Sequence, residues 1–114
     1  MSDCIFCKII NKEIPSTAVY EDDKVYAFKD INPVAPVHVL IVPKQHIPNI
    51  LEVNESNSSY LIDIHMAAQK IAADLGIKDS GFRLINNCGA DGGQTVFHLH
   101  YHLIGGKNLG PNLL

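Results

Sequence analysis

Residues 89–104 read Gly89-Ala90-Asp91-Gly92-Gly93-Gln94-Thr95-Val96-Phe97-His98-Leu99-His100-Tyr101-His102-Leu103-Ile104, a glycine-rich loop followed by three alternating histidines. In an extended strand, residues two apart point to the same face of the sheet. The alternation therefore predicts a strand that carries all three imidazoles on one face. The opposite face is predicted to be buried in the core and consists of Phe97, Leu99, Tyr101 and Leu103.

The loop before this strand contains Gly89, Gly92 and Gly93, followed by Gln94 and Thr95. Glycine lets the backbone come close to a ligand, and consecutive N–H groups can cradle an anion. Imidazole acts as nucleophile, acid or base near neutral pH, so loop and histidines together indicate phosphate chemistry. A metal site is the alternative, because histidine is the commonest metal ligand.

Size and composition restrict the classes of protein to consider. A chain of 114 residues predicts one domain, residues 1–114. The net charge is -3, Arg83 is the single arginine and no basic run occurs, so no nucleic-acid partner is expected. The chain has no apolar run of about 18 residues and no signal-peptide pattern, so we expect a cytoplasmic protein that does not contact membranes.

The sequence predicts two main helices and about five strands. Ser2 or Asp3 is expected to cap a short N-terminal helix that ends near Asn11. A hairpin turning at Asp22-Asp23, a buried strand over 38–42, a long helix over 58–75, a strand over 81–86 and the histidine strand follow. These elements predict an α+β domain with an antiparallel sheet of about five strands.

The run His98-Leu99-His100-Tyr101-His102-Leu103-Ile104 resembles the signature of the histidine triad (HIT) family. The resemblance extends to Gly92-Gly93-Gln94-Thr95, to Gly105-Gly106 and to residues 30–46, and covers nearly the whole chain. The chain is most similar to the histidine triad nucleotide-binding branch, the protein kinase C inhibitor-like proteins. This resemblance implies the HIT-like fold and a homodimer joined through the long helices and a continuous sheet.

The resemblance also implies an activity, hydrolysis of purine nucleoside phosphoramidates of the adenosine 5'-phosphoramidase type. His100 corresponds to the nucleophile, which would form a nucleotidyl-histidine intermediate before water releases the nucleoside monophosphate. His102 and His38 would hydrogen-bond to the phosphate and move the proton to the leaving amine. Thr95 takes the position of a hydroxyl residue near the leaving group. No catalytic cofactor is implied.

Further positions match the nucleotide-binding residues of the family. The backbone N–H groups of Gly93, Gln94 and Val96 would face the phosphate oxygens. Asn87 would reach the phosphate or the ribose, and Asp30, with Ile31 beside it, would accept from the ribose hydroxyls. The apolar cleft that sandwiches the base is expected to contain Ile5, Phe6, Ile9 and Phe28. Simple core packing is the other interpretation of these four side chains.

Cys4 and Cys7 are three residues apart and could lie on one side of a helical turn, while a structural zinc needs about four nitrogen or sulfur ligands. By resemblance to family members that begin with C-x-x-C, those ligands are Cys4, Cys7, His46 and His98. The zinc would be structural. Two reduced, buried cysteines beside an ordinary histidine are the alternative.

Two other functions remain open at this stage. A dinucleoside polyphosphate hydrolase would use the same triad chemistry, although no long lysine-rich insertion is present to hold a polyphosphate. A non-enzymatic nucleotide-binding or adaptor protein is the third hypothesis. The intact triad argues against it, because binding alone does not require His100.

Overall fold

Five antiparallel strands form one sheet in the order β1-β2-β3-β5-β4 in a computed structural model that describes residues 3–114. The elements, in chain order, are α1 (Ile5–Ile10), β1 (Ala18–Glu21), β2 (Val25–Lys29), β3 (Val37–Pro43), a 3-10 turn (Ile50–Glu52), α2 (Ser59–Asp74), β4 (Phe82–Asn86) and β5 (Tyr101–Gly105). The predicted α+β class, with a short helix, a long helix and five strands, is confirmed.

The β1–β2 hairpin turns where the sequence predicts it. The Asp22 carboxylate accepts hydrogen bonds from the N–H groups of Lys24 and Val25, both at 2.8 Å. The Tyr20 hydroxyl donates to the same carboxylate at 2.7 Å. A short acidic side chain that bonds to the backbone two or three residues ahead stabilises such a turn, and so fixes the register of the hairpin.

The long helix covers one face of the sheet. Ile64, Ala68 and Ile71 lie in the core cluster with β2, β3 and β5 residues, and Leu61 and Leu75 pack partly buried against it. Helix α2 ends where Gly76 adopts φ +76°, a backbone conformation that glycine accepts without strain. None of the helices described within residues 3–114 is long and apolar enough to span a membrane.

The short helix covers the opposite face. Phe6 and Ile9 of α1 pack against Tyr26, Phe28 and Leu40. The cap of α1 differs from the prediction, because Cys4 is the N-cap and its sulfur accepts from the Cys7 N–H at 3.4 Å. Asp3 precedes that cap, and Ser2 lies outside the described residues. The helix therefore begins at the C-x-x-C pair.

The predicted histidine strand is wrong in its first half. Strand β5 begins at Tyr101, which pairs with Ile41 and Asn86, so only His102 of the three histidines lies in the strand. Towards His98 the pairing with β3 stops at Ile41–Tyr101, although β3 itself continues to Pro43 and pairs there with β2. Phe97 is 56% exposed rather than buried, whereas the other three residues of the predicted core face are buried: Leu99, Tyr101 and Leu103.

Candidate active site and metal-ligand cluster

The glycine loop is closed by Gln94. Its backbone N–H donates to the Gly89 carbonyl and its side-chain oxygen accepts from the Gly89 N–H, both at 3.0 Å. Its amide nitrogen donates to the carbonyls of Pro48 at 2.8 Å and Val96 at 3.0 Å. A Cβ atom on Gly92 would lie 2.4 Å from the Cys88 carbonyl oxygen, so this turn has no room for a side chain.

These contacts change the role of two residues expected to bind phosphate. The Gly93 N–H donates to the Ala90 carbonyl at 3.0 Å, and the Gln94 N–H is held by Gly89. Both groups close the turn, so the structure does not offer them to a ligand. Within residues 3–114 the Val96 N–H has no protein acceptor, and it remains free for an anion.

Hydrogen bonds fix which nitrogen of His100 carries the proton. Its Nδ1–H donates to the His98 carbonyl at 2.7 Å, so the neutral ring keeps a lone pair on Nε2. Burial lowers the pKa of His100, although the His98 carbonyl and the charge of Asp30 act in the opposite direction. The imidazole is therefore neutral near pH 7, the form in which it can attack an electrophile.

Neighbouring side chains hold His100 in place. The Phe6 ring meets it edge-on, with centroids 5.0 Å apart and an interplanar angle of 89°. The Asn86 amide donates to the His100 carbonyl at 2.9 Å. The Leu99 N–H donates to the Ile47 carbonyl at 2.6 Å, which fixes the chain beside the ring. Although His100 lies outside the ladder, its backbone and ring are both restrained.

Asp30, His38 and His102 form a polar cluster on the α1 side of the sheet, in which the two histidines are hydrogen-bonded. His38 Nε2 lies 2.9 Å from His102 Nδ1 and 3.4 Å from the Asp30 carboxylate. The Val34 N–H donates to His38 Nδ1 at 3.1 Å. Burial lowers the pKa of His102, and His100 and His38 lower it further against the charge of Asp30. His102 is also next to His100, with ring centroids 5.2 Å apart.

A second cluster joins α1 to the loops beside the triad. His98 Nδ1 lies 3.4 Å from the Cys4 sulfur and 3.6 Å from the Cys7 sulfur, His46 Nδ1 lies 3.4 Å from the Cys7 sulfur, and the two Nδ1 atoms are 3.2 Å apart. A tetrahedral zinc separates a sulfur and a nitrogen ligand by about 3.5 Å and two nitrogens by about 3.3 Å. The four side chains could hold a metal ion and fit this geometry.

The protonation of the cluster also suits a metal. His98 Nε2–H donates to the Pro43 carbonyl at 2.8 Å, which leaves Nδ1 as a lone pair aimed at the two sulfurs. Burial lowers the pKa of His98 to about 4, so the ring is neutral. Burial raises the pKa of the Cys7 thiol, and the hydrogen bond and charge of Cys4 add to this. A bound cation would offset that effect by stabilising the thiolates.

A cleft of about 480 Å³ lies next to Asp30. Ile9, Phe28 and Ile31 line it together with Asp30, as expected for a base and ribose site, and Ile31 is 91% exposed. Phe6 lies behind it as a buried ring 5.6 Å from Phe28. Ile5 lines another pocket, with Thr95, Val96 and Phe97. Its place in the base cleft stays a prediction.

Three backbone and side-chain partners were not found from the sequence. Asn86 holds the His100 carbonyl, Val34 donates to His38, and Pro43 accepts from His98. The predicted Asn87 next to Asn86 is half-buried. Of these three partners, the sequence could have indicated only Asn86, a polar residue at the end of β4. Val34 and Pro43 act through their backbone groups, which do not depend on the side chain.

The chain is similar to known proteins over nearly its whole length. The HIT domain family model matches residues 11–109. Purine nucleoside phosphoramidase of Escherichia coli strain K12 is 49% identical over 111 residues, which cover 97% of this chain and 93% of the relative. A HIT family hydrolase from Clostridium thermocellum superposes with a TM-score of 0.98 at 64% identity, over 100% of this chain and 99% of that chain.

A more distant structure shares the same fold. The histidine triad nucleotide-binding protein from Candida albicans has a TM-score of 0.82 at 38% identity, over 89% of this chain and 73% of that chain. Since the family model and relatives well above 30% identity cover most of the chain, the protein belongs to the HIT domain family, the histidine triad proteins.

Proposed function

We propose that this protein hydrolyses purine nucleoside phosphoramidates through a nucleotidyl intermediate on His100. One observation carries the proposal, the hydrogen bond that commits His100 Nδ1–H to the His98 carbonyl and leaves the Nε2 lone pair for attack. The identity of 49% to a named purine nucleoside phosphoramidase over 97% of the chain supports the choice of substrate.

The reaction would proceed in two displacements at phosphorus. His100 Nε2 forms a bond to the α-phosphorus, the P–N bond breaks, and the leaving amine takes up a proton. Water then attacks the same phosphorus, its proton passes to a base of the site, and the P–N bond to His100 breaks to release the nucleoside monophosphate. The free Val96 N–H would bind a non-bridging oxygen during both steps.

Proton transfer is assigned to the neighbouring histidines. His102, 5.2 Å from His100 between ring centroids, would donate to the leaving amine and later accept from water. His38 would keep its own proton, and its Nε2–H, 2.9 Å from His102 Nδ1, would hydrogen-bond to His102 until water returns the donated proton. Thr95, which is exposed at the edge of the site, would orient the leaving group. Asn87 is assigned to the phosphate or the ribose.

Nucleoside binding is assigned to the cleft at Asp30. The carboxylate would accept from the ribose hydroxyls, and the purine would lie between Ile31 on one side and Ile9 and Phe28 on the other. The large exposed fraction of Ile31 supports this role, since a bound base would remove that apolar side chain from water.

A structural zinc is proposed for Cys4, Cys7, His46 and His98. When bound, the ion would supply a cross-link between the N-terminus of α1 and the segment that carries His100. The fit of the ligand distances to a tetrahedron supports zinc over a larger cation, as does the thiolate and imidazole ligand set.

A homodimer in the cytoplasm completes the proposal. Strand β4 is an edge of the sheet, so its outer side is available to pair with a second copy. Helix α2 carries exposed Ile62 and Met66, at 66% and 49%, which a partner helix would cover. Cys4, Cys7 and Cys88 form no disulfide within residues 3–114, in keeping with a reducing compartment.

Turnover assays test the proposed activity. Adenosine phosphoramidate and diadenosine polyphosphates are compared as substrates for the wild type, for His100→Ala, and for His65→Ala, an exposed histidine of α2, as matched control. We expect release of AMP from the phosphoramidate by wild type and control, and none by His100→Ala. Preferred cleavage of the polyphosphates would favour the rival hydrolase. Binding of AMP without turnover of either would favour the adaptor.

A further inference from the structure

Two clusters of side chains that could bind a metal lie within residues 3–114, and they differ in the backbone group that hydrogen-bonds to a histidine ring. Besides the cysteine cluster, Asp30, His38 and His102 bring a carboxylate and two imidazoles within 4.8 Å of one another. Two histidines and one carboxylate are a common ligand set for divalent transition metals. Composition alone would therefore allow metal in both clusters, including the one beside the nucleophile.

At the cysteine cluster the backbone prepares a histidine for metal. The Pro43 carbonyl accepts the proton of His98 Nε2, so the lone pair of Nδ1 points to the sulfurs. A carbonyl behind the ring fixes the tautomer in which the other nitrogen is free to coordinate.

At Asp30–His38–His102 the backbone offers a histidine ring a hydrogen-bond donor instead of an acceptor. The group behind the His38 ring is an N–H donor, that of Val34, 3.1 Å from Nδ1. Nδ1 must therefore carry the lone pair, and the neutral ring carries its proton on Nε2, the nitrogen that faces Asp30 and His102. A metal at this place would need the proton moved to Nδ1, where it would oppose the Val34 N–H.

The distances agree with a shared proton. His38 Nε2 and His102 Nδ1 are 2.9 Å apart, the usual length of an N–H···N hydrogen bond, whereas the two nitrogens at the cysteine cluster are 3.2 Å apart. Because His102 Nδ1 accepts from His38, neutral His102 carries its own proton on Nε2. Both rings thus carry their proton on Nε2, and the proton of His102 is left for a group outside the cluster.

We propose that the Val34 backbone N–H selects the Nε2–H tautomer of His38, and that this keeps the proton of His102 on Nε2, where it can be donated, and excludes divalent metal from Asp30–His38–His102. Val34 is a positioning residue that acts through His38. The tautomer of His38 and the exclusion of metal go beyond the proposed function, and their test needs no substrate. Donation of the His102 proton rests on the proposed function.

Two variants isolate the N–H group. Val34→Pro removes the donor, because proline has no N–H, and Val34→Ala keeps it while shortening a side chain that is 63% exposed. Metal-free protein is titrated with Co²⁺, which reports thiolate ligands through a charge-transfer band. We expect one equivalent with that band in wild type and Val34→Ala. In Val34→Pro we expect a second equivalent without the band, lost again when His102→Ala is added.

Binding of a second equivalent of Co²⁺ by the wild type, lost when His102→Ala is added, would overturn the proposal. A folded Val34→Pro variant that binds only one equivalent of Co²⁺ would also overturn it. The thiolate band of the first equivalent shows that each variant is folded. Should Val34→Pro lack it, ¹H–¹⁵N spectra of histidine-labelled wild type at about pH 8 decide, with His38→Ala for assignment. The proposal requires the proton of His38 on Nε2, and a proton on Nδ1 refutes it.

Discussion

Replacing Asn86 tests whether restraint of the His100 backbone contributes to catalysis. Asn86→Ala removes the 2.9 Å hydrogen bond to the His100 carbonyl and leaves a half-buried acceptor without its donor. Loss of such a partner costs about 1–2 kcal/mol. For a chain of this size the melting temperature should fall by roughly 4–8 °C.

The larger effect should appear in the rate. His98 and His100 lie outside the ladder, so the segment depends on a few individual hydrogen bonds for its position. A displacement of the nucleophile by about 1 Å costs on the order of 100-fold in rate, and a smaller displacement costs correspondingly less. We expect kcat on adenosine phosphoramidate to fall about 10- to 100-fold, with KM little changed.

Steady-state kinetics and thermal melts of the same preparations provide the assay. Asn87→Ala is the contrasting variant, because Asn87 is assigned to the ligand and its loss should act mainly on KM. Asn86→Asp keeps the size of the side chain but replaces the donor by an acceptor, and should lose at least as much kcat. A folded Asn86→Ala with wild-type kcat, or a loss confined to KM, would refute the argument.

Three other predictions follow from the same geometry. In metal-free protein, the free energy of unfolding should fall as the pH drops from 6.5 towards about 4, by up to about 1.4 kcal/mol per pH unit from His98 alone. The reason is that the unfolded chain protonates this histidine at a higher pH than the folded chain does. Denaturant melts across that range measure the effect, and a flat profile would contradict the burial argument. The lowered pKa of His100 predicts that kcat/KM holds its plateau below pH 6.5 and declines only under acidic conditions, since the neutral ring is the attacking form; a decline centred above pH 6.5 would count against that assignment. Gly92→Ala should lower both stability and turnover, because its Cβ would meet the Cys88 carbonyl at 2.4 Å. Gly110→Ala in the tail is the control, because its Cβ meets nothing within 4 Å although Gly110 has a positive φ. Equal behaviour of the two variants in melts and assays would argue against the steric account.

The periodic parts of the sequence predicted the fold well. The α2 stripe at Ile64, Ala68 and Ile71 and the Gly76 stop appear in the structure, because a helix that packs on a sheet needs an apolar face and an end. The hairpin at Asp22 follows from turn chemistry that depends only on neighbouring residues. Local rules of this kind are visible in a single sequence.

The triad segment shows where periodicity misled. Alternation predicted a strand through His98, but a ladder also requires partner strands, and the pairs of β5 with both neighbours end at Tyr101, opposite Ile41 and Asn86. The buried Gln94 shows a second limit, since its contact to the Pro48 carbonyl joins residues 46 apart in the sequence that only the fold brings together. The sequence identified the loop without showing that its own amides were already used.

The residues of the candidate site could be predicted from the sequence more readily than the tautomers of its histidines. The resemblance singled out His38, His100 and His102, whereas the proton positions depend on the carbonyl of His98 and the N–H of Val34. Every residue except proline carries both backbone groups, so composition contains no trace of which one faces a ring.

Mass spectrometry of a quenched reaction tests the central claim most directly. Wild type, His100→Ala and His65→Ala are mixed with adenosine phosphoramidate, stopped in the first turnover and digested. The account predicts a nucleotidyl adduct on the peptide that carries His100 in wild type and in His65→Ala, and none in His100→Ala. An adduct on another residue, or release of AMP by wild type without any trapped adduct, would contradict it.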